Sequence, residues 1–160
     1  MKQILLWATL LLVLVSVNLS IIKKEKTLAE GRTMLLELAP VDPRSLIQGD
    51  YMILRYRIAE NIPKEQLRDK GFIVVSPDAN NVAKFVKIHS GEKLQDGEYL
   101  LFYRNRGGMR LGAESFCFQE GDAQLYLQAK YGELRTDETG TSVLVGLRGK
   151  DFEALGRRKK

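Results

Sequence analysis

Hydrophobic and polar positions split this chain into two regimes. From Ile4 to Ile22 no side chain is charged, and the apolar run is broken only by Thr9, Ser16, Asn18 and Ser20. Beyond Arg32 the pattern turns to short alternations of period two, punctuated by Gly, Asp, Asn and Pro. The first regime reads as a helix apolar on every side, the second as strands with one buried face. Residues 4–22 as a helix rise ~1.5 Å each and reach roughly 28 Å, close to the hydrocarbon thickness of a bilayer. One retained membrane anchor is the expectation. A cleaved leader starting at Lys2 fits less well, because the run exceeds the ~7–15 residues of such segments. Leu14 and Asn18 also sit where a small residue should precede a cut after Ser16 or Ser20.

Along the rest of the chain the same pattern predicts mostly strands. Residues 23–32 form a polar connector that continues the helix a turn or two before Gly31. A first strand covers residues 33–39 and stops at Pro40, and Asp42-Pro43-Arg44-Ser45 is turn chemistry. Gly49-Asp50 makes a second turn that feeds a strand over 51–58. On that strand Met52, Leu54, Tyr56 and Ile58 share one side, with Tyr51, Ile53, Arg55 and Arg57 on the other. Asn61 and Pro63 start a helix that ends at Gly71. Residues 72–76 and 82–88 pair as a hairpin around Pro77-Asp78-Ala79-Asn80-Asn81. Strands follow at 99–103, 109–111 and 115–119, the last with Phe116 and Phe118 on one face. A helix over 122–131, with good helix formers and Gly132 beyond its end, precedes a closing hairpin of 134–136 with 142–147 and a frayed basic tail. The fold class is mainly β, or α+β if the two short helices pack on one face. An N-terminal transmembrane helix leads a small β-rich sandwich or open barrel. The organisation is an anchor with basic flanks at 1–26, a domain at 27–156 and a basic tail at 157–160.

Charge changes this picture by its placement. The chain carries a formal +5, yet residues 27–156 hold 17 bases against 19 acids. The surplus lies at Lys2, Lys23, Lys24 and Lys26 beside the apolar run, and at Arg157, Arg158, Lys159 and Lys160. Nucleic-acid binding would require a basic stripe on the folded part, which the sequence does not display. Basic flanks instead suit anionic lipid headgroups, at about 1 kcal/mol per Lys or Arg near the surface. Counting bases near the helix ends leaves the domain in the cytoplasm, whereas Lys2 ahead of a long apolar run reads as a signal anchor that exports the domain behind it. We take the periplasmic side; the cytoplasmic side stays open at this point.

The segment Gly49-Asp50-Tyr51-Met52-Ile53-Leu54-Arg55-Tyr56 carries a recognisable spacing: Gly-Asp-Tyr, two residues, Leu, one residue, Tyr. With Pro40-Val41-Asp42-Pro43-Arg44 upstream, and Phe116 to Gly121 and Tyr131 to Arg135 downstream, it resembles the bacterial GDYXXLXY family of membrane-anchored proteins. That resemblance implies a small inner-membrane envelope protein on one anchor, with its domain in the periplasm and no established activity. It supplies no catalytic residues. The candidate interaction residues on these segments are Asp42, Pro43, Arg44, Gly49, Asp50, Tyr51, Leu54, Tyr56, Glu120, Gly121, Tyr131, Gly132 and Glu133. The expected partners are the bilayer through residues 4–22 and an integral-membrane or periplasmic protein.

Catalytic chemistry finds little support. Asp50 reads first as a turn-former, and Tyr51 and Tyr56 as packing or rim aromatics. Cys117 is the only cysteine, which excludes an internal disulfide and a paired-cysteine metal or redox site; a small core residue is the expectation for it. His89 is the only histidine and reads as a solvated strand end. No metal and no cofactor are expected. Glu120 and Asp122 are explained by the start of the 122–131 helix, where carboxylates favour the dipole, whereas Glu133 has no such explanation. The alternative is a membrane-anchored serine peptidase-like hydrolase using Ser45 with Lys87 or His89. A Gly-Asp turn ahead of an apolar strand is similar to bacterial signal peptidases, but Ser45 lies too close to Gly49 for their spacing. The expectation is a non-catalytic binding or accessory module.

Overall fold

The computed structural model describes residues 2–39, 47–48 and 51–156. Helix α1 (Lys2–Glu30) runs unbroken through the apolar segment and the polar connector. Its apolar side chains stand exposed on all sides, from Ile4 and Trp7 to Ile21 and Ile22. By length and composition α1 can cross a membrane, and none of its most apolar window is buried in the protein. Its last turn behaves differently. Thr27 is buried, and Gly31 ends the helix with its N–H donating to the Thr27 carbonyl at 3.0 Å. A Cβ at residue 31 would come within 2.3 Å of that carbonyl, so only glycine turns the chain out of the helix here.

The domain is mainly β, with ten strands in three antiparallel sheets among the described residues. In the first sheet β9 (Tyr131–Thr136) lies between β1 (Arg32–Glu37) and β10 (Ser142–Arg148). In the second, β3 (Tyr51–Ile53) lies between β2 (Ile47–Gln48) and β8 (Ser115–Cys117). The third has the order β5-β4-β6-β7, from β4 (Lys70–Pro77), β5 (Ala83–Ile88), β6 (Tyr99–Asn105) and β7 (Met109–Arg110). Single bridges stitch the sheets together, Leu35 to Val82 and Leu38 to Tyr56. All three sheets turn apolar faces onto one core, including Met34 and Leu36, Met52, and Ile73, Val75, Leu101 and Tyr103.

Both expected hairpins form, 70–77 with 83–88 and 131–136 with 142–148. Four elements differ from expectation. The 51–58 strand ends at Ile53 because the chain changes partners: Leu54 N–H donates to Glu114 O at 2.7 Å, and Arg55 O accepts from Ala39 N–H at 2.8 Å. It then closes a short helix, α2 (Arg57–Glu60). The helix expected from Asn61 shrinks to a single 3-10 turn, Lys64–Gln66, before β4 takes the chain. The 122–131 helix is only α3 (Ala123–Tyr126). Sheet bonds claim its expected end, since Lys130 N–H donates to Arg148 O and its carbonyl accepts from Leu38 N–H, both at 2.8 Å. Tertiary pairing outweighs the propensity of Gln, Leu and Ala. Residues 149–156 also fold back rather than fray: Leu155 N–H reaches Leu147 O at 3.0 Å, and Phe152 stacks on Tyr131 with ring centroids 5.0 Å apart. Residues 157–160 lie outside the described residues.

Candidate functional site

The region to which the motif segments contribute is built on Tyr56. Although β3 stops at Ile53, its alternation persists, so Met52, Leu54, Tyr56 and Ile58 are all buried while Arg55 and Arg57 stay exposed. The Tyr56 hydroxyl donates to the Ala113 carbonyl at 2.5 Å. Burial, and secondarily the Glu114 carboxylate, push this phenol far above the ordinary tyrosine value, so it remains a donor. Its ring lies on Gly132, where an added Cβ would stand 3.0 Å from a ring carbon. Glu114 shapes the facing loop: its side chain accepts from the amides of Leu111 and Gly112, and its carbonyl from Leu54 N–H.

The pairing of β3 with β8 sets Met52 opposite Phe116 and Tyr51 opposite Cys117. Phe116 and Phe118 both turn inward onto Tyr126, with centroids at 4.9 and 5.5 Å. On β9, Glu133 makes a two-point ion pair with Arg148, Nε to Oε2 at 2.7 Å and Nη2 to Oε1 at 2.9 Å. Glu133 faces Gly146 across the ladder, and the missing side chain there lets the carboxylate reach diagonally to Arg148. Three segments far apart in sequence (51–56, 113–118 and 131–133) therefore meet around one buried tyrosine.

Residues 13–147 match the family described as GDYXXLXY protein. The chain belongs to that family. No curated protein and no solved structure matches it.

Within the GDYXXLXY signature, Leu54 and Tyr56 are core residues and Tyr51 is a rim residue, 38% exposed. Gly49 and Asp50 lie outside the described residues, as do Asp42, Pro43 and Arg44. Glu120 is exposed, and Gly121 has a φ of 85°, the left-handed region that glycine accommodates. A four-residue α3 has little macrodipole, so the helix-start account of Glu120 and Asp122 falls away. Tyr131 is half-buried against Phe152, and Gly132 is buried against Tyr56.

Two single-copy residues correct the sequence reading. Cys117 is exposed rather than packed in the core, because alternation that turns Phe116 and Phe118 inward turns Cys117 out. His89 is mostly covered rather than solvated: its side chain is 18% exposed, and Nδ1 has no hydrogen-bond partner among the described residues. Its nearest charge is Glu92 Oε1 at 3.9 Å, which pairs with Lys87 Nζ at 3.1 Å. Amides at Glu92 and Ser90, then Lys87, hold the Glu92 carboxyl down at about 2. Ser45, the nucleophile of the hydrolase alternative, lies outside the described residues.

Arg148, Ala113 and Glu114 were not singled out from sequence. Counting back from the 137–141 turn would have set Arg148 opposite Lys130; the register shift between Leu144 and Gly146 is what moves it opposite Tyr131 and within reach of Glu133. Ala113 and Glu114 carry no local signal, because their roles arise only where the chain crosses Leu54 and Tyr56.

Proposed function

We propose that this GDYXXLXY protein is a single-pass bacterial inner-membrane protein that holds a non-catalytic binding module at the periplasmic face. One observation carries the reading: α1 has two ends with different surroundings. Its apolar stretch touches no other part of the domain, whereas its last turn is bonded into the domain. The Thr27 hydroxyl donates to Asp137 Oδ2 at 2.9 Å, and Arg135 Nη1 donates to the Gly31 carbonyl at 2.9 Å. A removable leader has no need of such a joint. An anchor that holds its domain at a fixed height above lipid does.

The binding role is supported by the division within the signature strand. Leu54 and Tyr56 are spent on packing, while Tyr51 and Cys117 stand side by side on the outer face of β3 and β8. The exposed pair is the surface on which an integral-membrane or periplasmic protein would dock. Against the hydrolase alternative, Lys87 Nζ is engaged by Glu92 Oε1 at 3.1 Å rather than free to activate a nucleophile.

Cys117 gives a direct test, being both exposed and the only cysteine. A membrane-impermeant maleimide applied to spheroplasts should label it without lysis. Labelling only after lysis would place the domain in the cytoplasm. A photo-crosslinker at Tyr51 should trap a partner at native expression, and an empty trap there would remove the docking surface. A serine-reactive probe that modified Ser45 would favour the hydrolase.

A further inference from the structure

A cleft of about 680 Å³ opens where α1 meets the domain, walled by Lys24, Arg104, Arg106 and Arg110. Glu114 is the one acidic group among its described wall residues, and its carboxylate is occupied by the Leu111 and Gly112 amides. None of the four cations makes an ion pair among the described residues. Composition does not account for this cluster, since residues 27–156 carry more acids than bases. Four like charges in one concavity repel one another until an anion enters.

Height fixes which anion. Lys24 follows the last apolar residue of the run, Ile22, by two positions, or ~3 Å along the helix. The headgroup layer on each side of a bilayer is roughly 5–7 Å deep, so a cleft walled by Lys24 opens within it. The β6–β7 hairpin brings its arginines to this level because the joint at Thr27 and Asp137 docks the domain on the helix. We propose that the cleft binds the phosphate headgroup of an anionic phospholipid from the bilayer that holds α1. Arginines give a planar fork to phosphate oxygens, and Lys24 supplies a point charge beside them. This proposal rests on α1 being a retained span.

The test is native mass spectrometry of the full chain, released from detergent micelles doped with phosphatidylglycerol or with phosphatidylcholine of the same acyl chains. Retention of phosphatidylglycerol and loss of phosphatidylcholine is the expected result. The triple change Arg104→Gln, Arg106→Gln, Arg110→Gln should weaken phosphatidylglycerol retention about a hundredfold, at roughly fivefold per arginine. Arg57→Gln, on the exposed Arg57 paired with Glu37, should leave it unchanged. If the triple variant melts early, Lys24→Gln alone serves, with a loss of about fivefold expected. Equal retention of both lipids, or full retention by the charge-depleted variants, would overturn the proposal. Displacement of phosphatidylglycerol by millimolar inorganic phosphate would overturn the lipid source in favour of a soluble phosphate. Release of the chain from carbonate-washed membranes would instead overturn the anchor, a result that the micelle measurement reads separately.

Discussion

The two ends of α1 obey different rules. Between Ile4 and Ile22 the helix is apolar all round and exposed along its length, so on the proposed reading it is lipid that covers it. Further along the same helix, Thr27 is buried and bonded to the β9–β10 turn through Asp137. On the proposed reading, one continuous helix belongs to two solvents. The difference teaches that anchor and domain are joined by specific hydrogen bonds, and that each half can be broken without the other.

Breaking the lipid half should have the largest effect. Leu12→Arg with Val15→Arg places two cations mid-span, at about 3 kcal/mol each on insertion scales. Fractionation should show the chain leaving the membrane, with the melting temperature of its domain unchanged. Breaking the domain half calls for Tyr56→Ala, which removes a buried ring and its bond to Ala113 and should cost about 3–5 kcal/mol. Gly132→Ala presses on the same ring and should cost about 1–3 kcal/mol. Both variants should stay with the membrane while thermal unfolding of the domain moves down.

The joint itself is the sharper target. Burial alone would raise the Asp137 carboxyl, but hydrogen bonds from the Thr139 and Thr27 hydroxyls and the Thr141 and Thr139 amides outweigh it and hold the group below its ordinary value. A depressed carboxylate contributes stability that is fully present above its unfolded value and is lost as pH falls through the folded one. Protection of the Thr27 and Thr139 amides in hydrogen exchange should therefore fall on acidification below the ordinary aspartate range. Asp137→Ala should lower domain stability by about 1–3 kcal/mol, since it strands several donors, and should flatten that pH dependence. Tyr51→Ala is the smallest case: half-exposed on the rim, it should change stability within about 0.5 kcal/mol while lowering capture of the partner by a photo-crosslinker attached at the neighbouring Cys117.

Much of this was legible from sequence for a physical reason. Burial of Met52, Leu54, Tyr56 and Ile58 comes from period-two alternation, which survived even where the strand gave way to a bridge and a helix. The hairpins came from Asp, Asn and Gly turns between β-branched runs. The elements that failed depended on distant neighbours. The 122–131 helix lost its second half to β1 and β10, which lie far off along the chain. Glu133 found its partner only after β10 skipped a register between Leu144 and Gly146. The basic cleft joins Lys24 to arginines some eighty residues later, and no local pattern foretells that meeting. Cys117 is the instructive miss, because the alternation that placed the two phenylalanines inside already placed it outside.

The most direct measurement is the intact mass of the chain recovered from carbonate-washed membranes. A retained anchor gives a species that still contains residues 2–22 and stays in the pellet. A mature N-terminus near residue 20, with the domain in the wash, would contradict it.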